Sequence, residues 1–240
     1  MRLRHAVDDV AGIGQFFAAT ANPAEAVDDS WRPLRELYTD PAPLAARIRQ
    51  VRDALGGGTE RSAGGTSIGA EERVAASITY QGLAARLVSP LLALASVHGL
   101  VPPWSPDTLH WRPAAVGPWP LWESAQHARA PADLPSAVVD ALVQPHLAAL
   151  AAATKKLVSV SERTLRGNAA SSIAAAGAMV ARARPSAATA AHQVVSALLA
   201  TPWLDGSGSL GPGWAFRRRS CCLYYRVPGG GLCGDCVLGR

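Results

Sequence analysis

Residues 71–99 read EERVAASITYQGLAARLVSPLLALASVHG, and this stretch decides the fold class. After the acidic start at Glu71-Glu72, only Arg73, Gln81, Arg86 and His98 interrupt small and apolar side chains. The run from Glu71 to His98 reads as one long buried helix stopped by Gly99. Pro90 is expected to kink or split it, because proline brings no N–H to the ladder. His98, at the C-terminal end, is expected to cap carbonyls rather than bind a metal. Leu83 to Val101 is the best candidate for a membrane span, but it carries Arg86, Ser89, Pro90 and His98, so no integral membrane span is expected.

Upstream, Asp40-Pro41 supplies an N-cap followed by proline in the first turn. Leu44, Ile48, Val51 and Leu55 then repeat at helical spacing until Gly56-Gly57-Gly58. The Gly-, Ser- and Thr-rich residues 56–69 lack the phosphate-loop pattern and read as a surface loop. His5 to Thr20 reads as a helix weakened by Gly12 and Gly14. Asn22 to Asp40, broken by Pro23 and Pro33, reads as an irregular or short extended segment packed through Trp31, Leu34 and Leu37.

Downstream, Leu109-His110-Trp111 and Pro120-Leu121-Trp122 alternate around Gly117-Pro118, as a hairpin does. Trp104, Trp111, Trp119 and Trp122 make this region rich in aromatic side chains, either as a packed core or as a pocket wall. Pro131 to Ala153 reads as a helix bent at Pro145, with Lys155 and Lys156 following. Ser161 to Arg184 is an Ala-rich helix with a stripe of Gly167, Ala170, Ala174 and Gly177, and Pro185 to Ala200 is a last amphipathic helix. Gly206 to Ser209 reads as a linker. The expected architecture is mainly α with a small β-hairpin or small sheet, α+β being the alternative. Residues 1–205 form the helical body and 206–240 a C-terminal cysteine module.

At 240 residues, 49% apolar and 17% charged, the chain is long and apolar enough to bury a sizeable core. A net charge of +5 suits an anionic ligand or an acidic partner. It is too small and scattered for nucleic acid, and no nucleic-acid motif accompanies it. No triad, H-E-x-x-H or dinucleotide fingerprint occurs.

All four cysteines of the chain lie in its last twenty residues, as Cys221-Cys222-x10-Cys233-x2-Cys236. Such a cluster can hold a zinc ion, hold an iron–sulfur cluster or form two disulfides. No charged and then apolar leader opens the chain, so a cytoplasmic location with reduced thiols is expected, which disfavours disulfides. Cys233 and Cys236 would pass as a zinc knuckle. The adjacent Cys221 and Cys222 fit one tetrahedral ion poorly and two irons better. Ligand chemistry alone leaves zinc and [2Fe-2S] both open.

The cysteine pattern resembles the C-terminal motif of the FhuF-like ferric-siderophore reductases. Arg163-Thr-Leu-Arg-Gly-Asn-Ala-Ala-Ser171 is similar to that family's Leu-Trp-Gly-Asn-x-Ala-Ser segment, with Arg166 where the pattern has tryptophan. Arg86-Leu-Val-Ser-Pro-Leu-Leu-Ala93, ahead of Gly99 and Pro102, is similar to its middle helix. The resemblance implies a [2Fe-2S] cluster on Cys221, Cys222, Cys233 and Cys236. It also implies a siderophore-binding body and electron transfer to a bound ferric siderophore, releasing Fe(II). A ferredoxin-like or other reductant protein is expected as donor, since no flavin or nicotinamide signal is present.

Arg217, Arg218, Arg219 and Arg226 flank the cysteines, and their charge favours a reduced cluster. Arg217, Arg218, Arg219, Lys155, Lys156 and Trp104 are the candidate substrate or donor contacts. Gly229-Gly230-Gly231 are expected to fold the loop back so that Cys233 meets Cys221. Tyr224, Tyr225 and Trp214 are expected to shield the cluster. The competing readings are a one-electron carrier or redox sensor, and an interaction domain stapled by zinc on the same four cysteines.

Overall fold

A computed structural model describes residues 3–56 and 70–239. Helix α4 (Glu72–His98) is its axis. Around it pack α1 (Leu3–Ala11), α3 (Pro41–Gly56), α7 (Glu162–Ala183) and α8 (Ala188–Leu199), with α7 the most extensive neighbour. The helix runs through Pro90 as one element, without the split allowed for there. Val88, Leu91, Leu92, Ala93 and Leu94 are fully buried. Burial of each large side chain contributes about 2 kcal/mol, so the flanking turns outweigh the roughly 3 kcal/mol cost of an internal proline. Gly99 closes the helix with a left-handed φ of 66°. His98 caps nothing: its Nε2 lies 3.0 Å from Asp9 on α1.

The N-terminal helix is shorter than expected, ending at Ala11 just before Gly12 and Gly14. After a 3₁₀ turn at Pro23–Val27 come β1 (Arg32–Pro33) and the single turn α2 (Glu36–Thr39). The expected hairpin is present as β2 (Leu109–Trp111) and β3 (Leu121–Glu123), with His110 opposite Trp122. Within the segment read as irregular or short extended, β1 joins the hairpin as a third, antiparallel strand, pairing Arg32 with Trp111. Pro33 is tolerated there because β1 is an edge. α3 begins at Pro41 as expected, with Leu44 and Ile48 buried. It reaches Gly56, so most of the predicted glycine-rich loop lies outside the described residues.

The segment expected as one bent helix is α5 (Leu134–Leu142), a π-helical turn (Val143–Ala148) and α6 (Ala149–Leu157). Pro145 sits in the π turn, where the wider winding absorbs its missing donor without breaking the rod. The same turn aims His146 into the core. His146 Nε2 lies 2.6 Å from the Trp104 carbonyl and its Nδ1 2.7 Å from the Tyr38 hydroxyl. The neutral ring donates to the first and accepts from the second. Trp104 is held at φ 42°. Its N–H donates to Glu123 and its indole N–H to the Leu87 carbonyl. Trp104 is wholly buried, so it cannot touch a substrate or donor, and the aromatic region is core. Glu72–His98 and Leu134–Leu157 are long and apolar enough to cross a membrane by length and composition, but most of each is buried inside the fold.

Candidate metal centre

The cysteine segment begins as a ribbon, not a linker. β4 (Gly208–Leu210) pairs antiparallel with β5 (Phe216–Arg218), Gly208 opposite Arg218. Side chains alternate along a strand, so three consecutive arginines cannot share one face. Arg217 and Arg219 are exposed, whereas Arg218 is buried against the body. That corrects the reading of all three as substrate or donor contacts. Arg217 donates to the Gly239 carbonyl, and the Arg219 carbonyl accepts from Arg163 at 3.2 Å.

Gly167 on α7 sets how closely the ribbon approaches. A Cβ there would stand 2.1 Å from Ser220 Oγ, which donates to the Arg163 carbonyl at 2.9 Å. Cys221 therefore starts directly above the helix. One residue along, Asn168 is fully buried. Its Nδ2 donates to the Ser77 carbonyl and hydroxyl at 2.9 and 2.8 Å, and its Oδ1 accepts from Arg218 Nη1 at 2.8 Å. Ser77 Oγ in turn donates to the Cys222 carbonyl at 2.7 Å. Arg218 Nε donates to Asp235 Oδ2 at 3.0 Å. Burial raises the Asp235 pKa, but hydrogen bonds from Ser171 and Arg218 and the Arg218 charge outweigh this and hold it below the ordinary carboxylate value. This polar chain ties α4, α7, β5 and the cysteine loop together. Ser77 and Asp235 had no role in the sequence reading. An acid between Cys233 and Cys236, next to a basic run, was the available signal for Asp235.

All four cysteines are free, with Cys222 and Cys236 buried and Cys221 and Cys233 half-buried. Gly229 and Gly231, at φ 73° and 72°, fold the loop back as expected. Cys233 meets Cys222, at 3.5 Å between sulfurs, rather than Cys221. Leu223 takes a left-handed φ of 70°, which lets its N–H donate to Cys221 Sγ at 3.3 Å. The Leu238 N–H donates to Cys236 Sγ at 3.4 Å. Burial pushes the Cys221 and Cys233 thiols up, opposed by the Arg218 charge. Binding metal must therefore displace protons.

Among the described residues, no three His, Cys, Asp or Glu side chains gather tightly enough for a single ion. The donor set fits a wider group. It offers four thiols in one lobe, two backbone N–H···S bonds and, in Arg218 Nη2, a buried donor with no partner among the described residues. Residues 218–238 match the family model of the FhuF 2Fe-2S C-terminal domain. The tail is FhuF-like. The match supports a [2Fe-2S] cluster as the cofactor, which decides against zinc. No curated relative matches the chain.

Beside the domain lies a cleft of about 510 Å³. Cys222, Cys233 and Tyr224 form one wall, and Ile78, Gly82 and Ala85 of α4 with Met179 of α7 form the others. None of its lining side chains carries a charge. Small residues on α4 and α7 keep it open. Of the expected shielding residues, Tyr224 is at the cleft, Tyr225 is 45% exposed, and Trp214 packs instead on Gly177 and His192. Lys155 and Lys156 line a separate hollow with Trp203, where Lys155 pairs with Glu162 at 2.7 Å. They lie outside the lining of the cysteine cleft.

Proposed function

We propose that the protein is a cytoplasmic ferric-siderophore reductase. Cys221, Cys222, Cys233 and Cys236 hold the cluster, and the adjoining cleft seats the Fe(III) chelate. One observation carries this reading: two of the four thiols form a wall of a cleft large enough for a small ligand. When bound, the cluster supplies one electron at a time. The chelate takes up that electron, Fe(III) becomes Fe(II), and no bond within the ligand breaks. Hard oxygen ligands hold Fe(II) far less tightly, so the metal leaves.

The chain's own residues have modest tasks. α4 and α7 shape the cleft, and Tyr224 with Met179 excludes water. The loop N–H groups orient the thiolates. Neither a general base nor a nucleophile is required. The exposed Arg217 and Arg219 lie on the outer face of the ribbon, where an acidic ferredoxin-like donor would be steered.

Anaerobically purified protein should be red-brown, with iron and acid-labile sulfide. After reduction by dithionite, a ferric chelate should reoxidise it with saturation. Gly82→Phe should raise the half-saturating chelate concentration at least tenfold while the spectrum persists, since nothing lies within 4 Å of a Cβ at Gly82. Cys233→Ser should lose the cluster and the activity together. Rapid reoxidation without saturation would point to an electron carrier instead.

A further inference from the structure

We propose that Arg218 is the positioning residue of the [2Fe-2S] centre, with one guanidinium nitrogen kept for a cluster or thiolate sulfur and its charge offsetting the added electron. The inference rests on the ligand set proposed above but not on the identity of the electron acceptor. Its basis is the division of labour within one side chain. Arg218 has no exposed side-chain surface. Nε is held by Asp235 and Nη1 by Asn168, which is itself fixed by Ser77. Nη2 is buried and has no partner among the described residues. A buried N–H without an acceptor is costly and rare. Arg218 is also anchored to the cysteine loop itself: Asp235, which accepts from Nε at 3.0 Å and from the Arg218 main-chain N–H at 3.3 Å, lies between Cys233 and Cys236 in the chain.

Position distinguishes Arg218 from its neighbours. The outward-facing Arg217 and Arg219 are screened by salt and water within about 8 Å at physiological ionic strength. A buried cation is screened far less, so it favours the form of the centre carrying one more electron. The Asp235 carboxylate, held by the same guanidinium, opposes this. The pair therefore sets the field at the thiols, and neutralising either member shifts it in a predictable direction.

The test is an EPR-monitored redox titration of holo-protein, with iron and sulfide contents measured on every variant. Arg218→Gln should shift the reduction equilibrium at least tenfold toward the oxidised form, about 59 mV for one electron. Arg218→Lys, keeping the charge but not the fork, should fall between Arg218→Gln and wild type. Asp235→Asn should move the potential upward. Arg217→Gln and Arg219→Gln should each move it by less than half of the Arg218→Gln shift. If Arg218→Gln takes up no cluster, Arg218→Lys and Asp235→Asn decide. An unchanged potential in these variants, or an equal shift from Arg217→Gln, overturns the proposal. Wild-type protein lacking iron and sulfide would instead overturn the ligand set.

Discussion

Two arginines are buried among the described residues, Arg86 and Arg218, and they are used differently. Arg86, on α4, directs all three guanidinium nitrogens at main-chain carbonyls. Nε donates to Trp119 at 2.8 Å, Nη1 to Phe16 at 2.8 Å and Nη2 to Ala18 at 2.7 Å. Burial lowers its pKa to about 10, so it remains charged at neutral pH. It closes a gap between the N-terminal segment and the tryptophan-rich sheet, leaving no nitrogen without a partner. Arg218 holds two partners and retains a third donor beside the cysteines. A buried cation with every nitrogen engaged serves the fold, whereas one with a donor in reserve marks a place where another group is received.

The contrast is broken most directly at Arg86. Arg86→Met leaves three carbonyls without donors and should cost about 4 kcal/mol in urea unfolding of cluster-free protein at pH 7. Arg218→Met should cost less than half as much there, because it has two partners and Asp235 is partly open to water. Equal losses would dissolve the distinction.

His146 belongs with Arg86, since both its ring nitrogens are engaged inside the body. Burial pushes its pKa down to about 4, against an ordinary value near 6.5. Between those values the unfolded chain binds a proton that the folded one does not. Stability should therefore be fully present above pH 6.5 and fall as pH drops toward 4, by about 3 kcal/mol from this group. His146→Gln should be less stable at pH 7 but show a flatter slope over that window.

The smallest effect sharpens the cysteine side. Gly167→Ala forces Ser220 to shift, which should cost about 1 kcal/mol after the helix-propensity gain. It should also lower iron occupancy, while Gly82→Ala, which meets open space, should do neither.

Much of the body was legible because period and punctuation are local. The repeat from Leu44, the stop at Gly99 and the Leu109–Trp111 alternation each depend on a few neighbouring residues, and each element formed close to where it was expected. Pro90 does not split its helix, because its local cost is outweighed by burial that only the assembled helices supply. Trp104 could be read as core or as pocket wall, and its contacts with Glu123, Leu87 and His146 make it core. Arg217, Arg218 and Arg219 were grouped as contacts because the strand that turns Arg218 inward is three residues long and forms only by pairing with Gly208–Leu210.

By itself the sequence determined that the tail gathers thiol ligands. Four cysteines in one short loop, with glycines able to turn it back, mark a place for zinc or an iron–sulfur cluster, and the match of residues 218–238 to the 2Fe-2S domain model favours the cluster. Where those thiols face, and which buried charge acts on them, was decided only in three dimensions. The reason is that Ser77, Asn168, Arg218 and Asp235 are far apart along the chain, and hydrogen bonds among such residues carry no periodic signal before the helices bring them together.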